Sequence, residues 1–139
     1  MGFPLPADRE EIVFLTVDDI HDFHQQVLLP GQDPHVNKLD DLLSAVGRPK
    51  SAAYYDDDPD LDLLKIAAYY WHGVSANHGY VDGNKRTGLV CATNFLLMNG
   101  MIFDAPDEYI GIWVEALFKH DEFEIPNLQN LLRKHTRWI

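Results

Sequence analysis

Apolar residues recur at helical spacing through most of this chain. Val17, Ile20, Phe23 or His24, Val27 and Leu28 share one face, and Thr16 with Asp19 forms a capping pair ahead of them. This predicts a first helix that stops before Pro30-Gly31. Residues 32–36 read as loop. Val36, Leu39, Leu42, Leu43 and Val46 mark a second amphipathic helix, ended by Gly47 and Pro49. Residues 52–58 read as an acidic turn. Asp58-Pro59 has the chemistry of a helix start, and Leu61, Leu64, Ala67, Ala68, Trp71 and Val74 continue a third helix to about Asn77. A fourth helix is predicted from Asn84 or Lys85 to Met98, capped by Asn99-Gly100, with a short extended piece at residues 101–103. Pro106 and Pro126 open a fifth and a sixth helix.

These elements predict one all-α domain over residues 1–139, with residues 1–10 as an irregular lead-in. Helices one, three, five and six carry polar faces and are expected on the outside. The fourth is apolar or small on nearly every side, so it is expected at the centre, with its N-terminus as a fixed platform.

Charge narrows the function classes. Eleven Lys and Arg face 22 Asp and Glu, for a net charge of −11. Such a balance argues against general nucleic-acid binding, which needs many cations to displace counterions. It favours a partner with a basic face. The lone cysteine, Cys91, sits among apolar residues and is expected to be buried, in keeping with a reducing, cytoplasmic setting. Residues 87–103 carry no charge but fall short of the about 20 apolar residues that span a bilayer.

The chemistry concentrates in residues 78–88, HGYVDGNKRTG. A helix N-terminus offers unpaired N–H groups and a partial positive charge, and so receives anions. Gly83 with Asn84 is able to form a concave nest of amides for a phosphate oxygen. Lys85 adds a mobile point charge and Arg86 a planar fork. Asp82 is a hard oxygen ligand suited to Mg²⁺ beside substrate phosphates. His78 has the side chain whose ordinary pKa suits proton removal near neutrality. A base, a metal holder and a phosphate cradle suffice for phosphoryl or nucleotidyl transfer to a hydroxyl, where positioning and charge neutralisation dominate.

At these residues the chain resembles the Fic/Doc family, whose motif is His-x-Phe-x-Asp/Glu-Gly-Asn-Gly/Lys-Arg. It stands here as His78-Gly79-Tyr80-Val81-Asp82-Gly83-Asn84-Lys85-Arg86, and Lys85 before Arg86 and Thr87 is similar to the Doc branch. The likeness extends from about Leu15 to Gly100. It implies a compact helical fold, with His78 as general base and Asp82 on Mg²⁺. Gly83, Asn84, Lys85 and Arg86 would hold the phosphates of ATP. The Doc reaction it implies is transfer of the terminal phosphate to a threonine of elongation factor Tu, which blocks translation. AMP-transferring relatives carry Gly where Lys85 stands and a second Arg where Leu89 stands. Gly79 replaces a usual Pro and is expected to loosen the loop that aims His78. Tyr80 replaces a usual Phe and is expected to pack its ring in the core. The self-inhibiting string Ser/Thr-x-x-x-Glu-Gly/Asn is not found, so restraint is expected from an antitoxin protein supplied in trans.

Three other features carry smaller expectations. His21 and His24 lie three apart and are read as a partly exposed pair on helix one rather than as metal ligands. Trp71, Trp113 and Trp138 are expected as core anchors, and Asp56, Asp57 and Asp58 as a solvated loop. The competing functions are transfer of AMP, a decayed Fic-fold binding module, and RNA cleavage, which the charge disfavours.

Overall fold

A computed structural model describes residues 2–139. Six α-helices dominate: α1 (Val17–Val27), α2 (Leu39–Tyr55), α3 (Leu63–Ala76), α4 (Asn84–Met98), α5 (Asp107–Lys119) and α6 (Ile125–His135). A 3₁₀ turn spans Arg9–Glu11. Two short strands, β1 (Met101–Phe103) and β2 (Thr136–Trp138), pair antiparallel with Met101 opposite Trp138. None of the described helices is long and apolar enough to cross a membrane.

Local chemistry sets several of these boundaries. Thr16 accepts from the Asp19 amide at 3.1 Å, and the Asp19 carboxylate accepts from the Thr16 amide at 2.8 Å, so the capping box ahead of α1 is complete. Asn99 and Gly100 close α4, with Gly100 at φ 89°. The fifth and sixth helices open beside Pro106 and Pro126 as expected.

Two boundaries differ from the sequence reading. Helix α2 runs straight through Gly47 and Pro49 to Tyr55, and so takes in half of the stretch read as an acidic turn. Leu42, Ala45, Pro49, Ala52 and Ala53 form one buried stripe on it, and burial of that stripe outweighs the lost amide donor at Pro49. Helix α3 starts later than Asp58-Pro59. Asp62 is its cap, accepting from the Lys65 amide at 2.8 Å, while Asp58 closes a turn on the Asp60 amide at 2.9 Å. The acidic loop is also less solvated than expected. Asp56 accepts from both terminal guanidinium nitrogens of Arg48, and Asp58 pairs with Lys65 at 2.6 Å.

The centre is shared by two helices. Leu64, Ile66, Ala67, Ala68, Tyr70 and Trp71 of α3 are fully buried, as are Cys91, Ala92, Phe95 and Leu96 of α4. Helix α3, expected outside, is thus the more enclosed, packed between α2, α4 and α6. Gly88 makes the close crossing of α3 and α4 possible, because a Cβ there would fall 2.7 Å from the Trp71 carbonyl oxygen. The lead-in is tied down as well: Phe3 is buried, stacks on Trp138, and accepts from the Leu63 amide at 2.9 Å. Trp138 itself is 40% exposed and seals an edge rather than anchoring the core.

Candidate active site

Helix α3 ends at Ala76, and the chain turns through residues 77–83 before α4 begins. His78 follows the C-cap residue Asn77 at φ 56°, the left-handed position that commonly terminates a helix. Such a conformation costs a non-glycine residue on the order of 1 kcal/mol or more and persists only where its surroundings hold it. Here Asn37 Nδ2 donates to the His78 carbonyl at 3.2 Å, while the imidazole is exposed and makes no hydrogen bond among the described residues.

The loop around His78 is pinned, against expectation. Gly79 is buried, and its carbonyl accepts from both the Asn37 and the Lys38 amides, at 2.8 and 3.1 Å. A Cβ on Gly79 would lie 3.1 Å from that of Leu42, so the glycine gives close approach rather than looseness. Val36 forms an isolated bridge with Tyr80, and the Val81 amide donates to the His35 carbonyl at 3.0 Å. The segment between α1 and α2 therefore lies along the motif loop and holds it.

Tyr80 fills the core as expected. Its hydroxyl shares a 2.7 Å hydrogen bond with His21 Nδ1, and burial pushes the phenol above its ordinary range. Its ring stacks on His24, with centroids 3.6 Å apart and planes 8° from parallel. His24, read as partly exposed, is buried at 1% exposure, and its Nε2 donates to the Asp82 carbonyl at 2.7 Å. Burial holds its pKa below the ordinary histidine value, against the pull of that carbonyl and of the Asp82 charge. Its place on α1 at i+4 from Ile20 was the available signal, since both positions face inward. Among the described residues no group of three or more His, Cys, Asp or Glu is poised to hold a metal.

The remaining predicted residues fall around the start of α4. Asp82 accepts the Asp33 amide on one carboxylate oxygen at 2.8 Å, leaving the other open. Gly83 is the N-cap at φ 84°, a left-handed conformation natural to glycine. The first bond of the helix runs from the Thr87 amide to the Gly83 carbonyl at 3.0 Å, so the amides of Asn84, Lys85 and Arg86 precede the ladder and stay open. Asn84 turns its side chain the other way, accepting from the Tyr80 amide at 3.0 Å and donating to the Tyr80 carbonyl at 2.8 Å. It offers an anion its backbone N–H alone. Lys85 Nζ lies 3.4 Å from Glu115 Oε1 and 4.3 Å from the centre of the Phe118 ring, so it leans on α5. Arg86 is exposed and makes no hydrogen bond or ion pair among the described residues.

One cleft of about 460 Å³ gathers His78, Asp82, Gly83, Asn84, Lys85 and Arg86, with Ile110 and Val114 of α5 on its far wall. A larger groove of about 750 Å³ runs beside α6, but its Asp62 is already spent on the α3 cap and on Arg133. The first cleft combines open amides, two cations, a half-free carboxylate and an unengaged imidazole. That set fits an anion with several phosphate oxygens, and Asp82 fits a hard cation beside it.

This is a helical protein with an amide-rich cleft at the head of a buried helix. Residues 14–96 match the model of the Fic/DOC family, and the chain belongs to that family. It is also similar to "Protein kinase doc" of Escherichia phage P1, with 35% identity over 63 residues, covering 45% of this chain and 48% of that protein. The chain thus spans about half the length of this curated relative. No solved structure gives a significant match.

Proposed function

We propose that this protein is a Doc-type phosphotransferase, moving the terminal phosphate of ATP to a hydroxyl on a protein. The observation that carries the reading is the convergence of His78, Asp82, Lys85, Arg86 and the open α4 amides on one cleft. The likeness to a relative named a protein kinase supports the same chemistry.

In this reading the amides of Gly83, Asn84, Lys85 and Arg86, with the two cations, hold the phosphates of ATP. His78 takes the proton from the acceptor hydroxyl as its oxygen bonds to the terminal phosphorus, and the bond to the bridging oxygen breaks to release ADP. Asp82 would hold Mg²⁺ through its open oxygen, and the ion would neutralise charge on the phosphates. The acceptor is a threonine of elongation factor Tu, modification blocks translation in the cytoplasm, and an antitoxin restrains the protein in trans. Transfer of AMP to the same hydroxyl is the second reading, since Lys85 is drawn to the Glu115 side of the cleft.

Intact-mass analysis of elongation factor Tu after incubation with ATP and Mg²⁺ separates the readings. A gain of one phosphate supports the first, a gain of one AMP the second, and no gain with folded, partner-free protein rejects both. His78→Ala should lower the rate by roughly 10²–10⁴-fold.

A further inference from the structure

We propose that His24, on α1 and outside the motif, is a positioning residue for the anion-gripping amides at the start of α4. The inference rests on the phosphate-transfer reading of the cleft.

One peptide plane connects the histidine to those amides. His24 Nε2 lies 2.7 Å from the Asp82 carbonyl oxygen. A carbonyl only accepts, so Nε2 carries the proton. The described chain has no cis peptide bond, and in a trans peptide the C=O and N–H point in opposite directions. Anchoring the Asp82 carbonyl toward α1 therefore turns the Gly83 N–H away from α1. The cleft lies on that other side: Gly83 lines it, and no residue of α1 does. The imidazole thus fixes the direction of the first amide in the row that continues through Asn84, Lys85 and Arg86.

The contact is built to hold. His24 is 1% exposed and lies flat on Tyr80, which Asn84 grips through both its backbone groups. Gly83 passes so close that a Cβ there would meet Leu28 Cδ2 at 3.2 Å and His24 Cδ2 at 3.4 Å. An apolar residue at position 24 would keep the packing but strand the Asp82 carbonyl. A glutamine extends its amide nitrogen to about the reach of Nε2. An asparagine stops short at the reach of Nδ1. The three substitutions therefore separate directing the amide from merely filling the core.

The test uses the full chain, ¹⁵N-labelled, with pyrophosphate as the probe and ATP turnover as a second readout. In the wild type the Gly83 amide resonance should move on adding pyrophosphate. His24→Leu and His24→Asn should each weaken pyrophosphate binding about tenfold and raise KM for ATP by a similar factor, whereas His24→Gln should stay close to wild type. Equal pyrophosphate affinity in folded His24→Leu and wild type overturns the inference. Hydrogen exchange at the Thr87 and Tyr80 amides, bonded to the Gly83 carbonyl and to Asn84 Oδ1, is a readout independent of any ligand: it should quicken in His24→Leu and not in His24→Gln, and equal exchange in all three proteins overturns the inference. Should the wild type ignore pyrophosphate, the phosphate-transfer reading falls, and exchange still decides the role of His24. Should the Leu and Asn variants fail to fold, the wild-type imidazole ¹⁵N spectrum decides. A slowly exchanging Nε2–H supports the hydrogen bond to Asp82, and an Nδ1–H tautomer overturns it.

Discussion

Gly88 of α4 and Ser75 of α3 lie so close that a Cβ on the glycine would stand 1.9 Å from the serine hydroxyl oxygen. The same Cβ would meet the Trp71 carbonyl oxygen at 2.7 Å and the Ser75 amide nitrogen at 3.0 Å. The two helices that share the centre thus touch backbone to backbone just behind the cleft. This contact sets the depth at which the α4 N-terminus sits.

Gly88→Ala should therefore destabilise the fold by about 1–3 kcal/mol, as overpacking of a filled core does. Removing the serine hydroxyl as well should not restore stability, because the Trp71 carbonyl still blocks the new methyl. Urea unfolding of Gly88→Ala and of Gly88→Ala/Ser75→Ala checks both statements.

Asn84 and Arg86 should fail in opposite ways. Asn84→Ala strands the Tyr80 amide and carbonyl on a buried residue, which costs about 1–3 kcal/mol of stability. Arg86→Ala removes an exposed, unengaged side chain and should change stability by less than about 0.5 kcal/mol. Its loss should appear as weaker ATP binding. Thermal melts and ATP titration on both variants separate the two roles.

Acid should weaken the fold through two histidines. Burial lowers the pKa of His24 and of His72 below the ordinary 6.5, outweighing Asp82 for the first and Glu124 for the second. As pH falls through 6.5 the unfolded chain takes up protons that the folded chain refuses, so stability is full above that value and declines below it. The decline ends once pH has passed the folded-state pKa values. Urea midpoints across this window should drop, and His24→Gln/His72→Gln should flatten the slope.

Cys91 should be inert in the native protein. It is fully buried, and desolvation pushes its thiol well above the ordinary range. A water-soluble disulfide reagent should label it only after unfolding. Labelling at the native-state rate of a free thiol would contradict this burial.

The helices were legible because their apolar residues repeat at the period of a helix, and because caps such as Thr16 with Asp19 act within four residues. The cleft was legible because residues 78–86 are contiguous, so one short stretch carries an imidazole, a carboxylate and two cations. Strand β2 was not. Its three residues pair with β1, which lies more than thirty positions earlier, and nothing local distinguishes them from a tail.

The chain order alone determined that a buried helix begins at a glycine-led, doubly cationic turn, since these are properties of neighbours. Only the folded structure decided which side chains act there and which brace. Asn84 turned inward to Tyr80, Lys85 leaned onto α5, and His24 arrived from α1 to bind the Asp82 carbonyl. It also carried α2 through Pro49, because a buried stripe of five residues outweighs one missing donor. Direction and partnership in each case depend on groups far apart along the chain, and spacing within a segment holds no record of them.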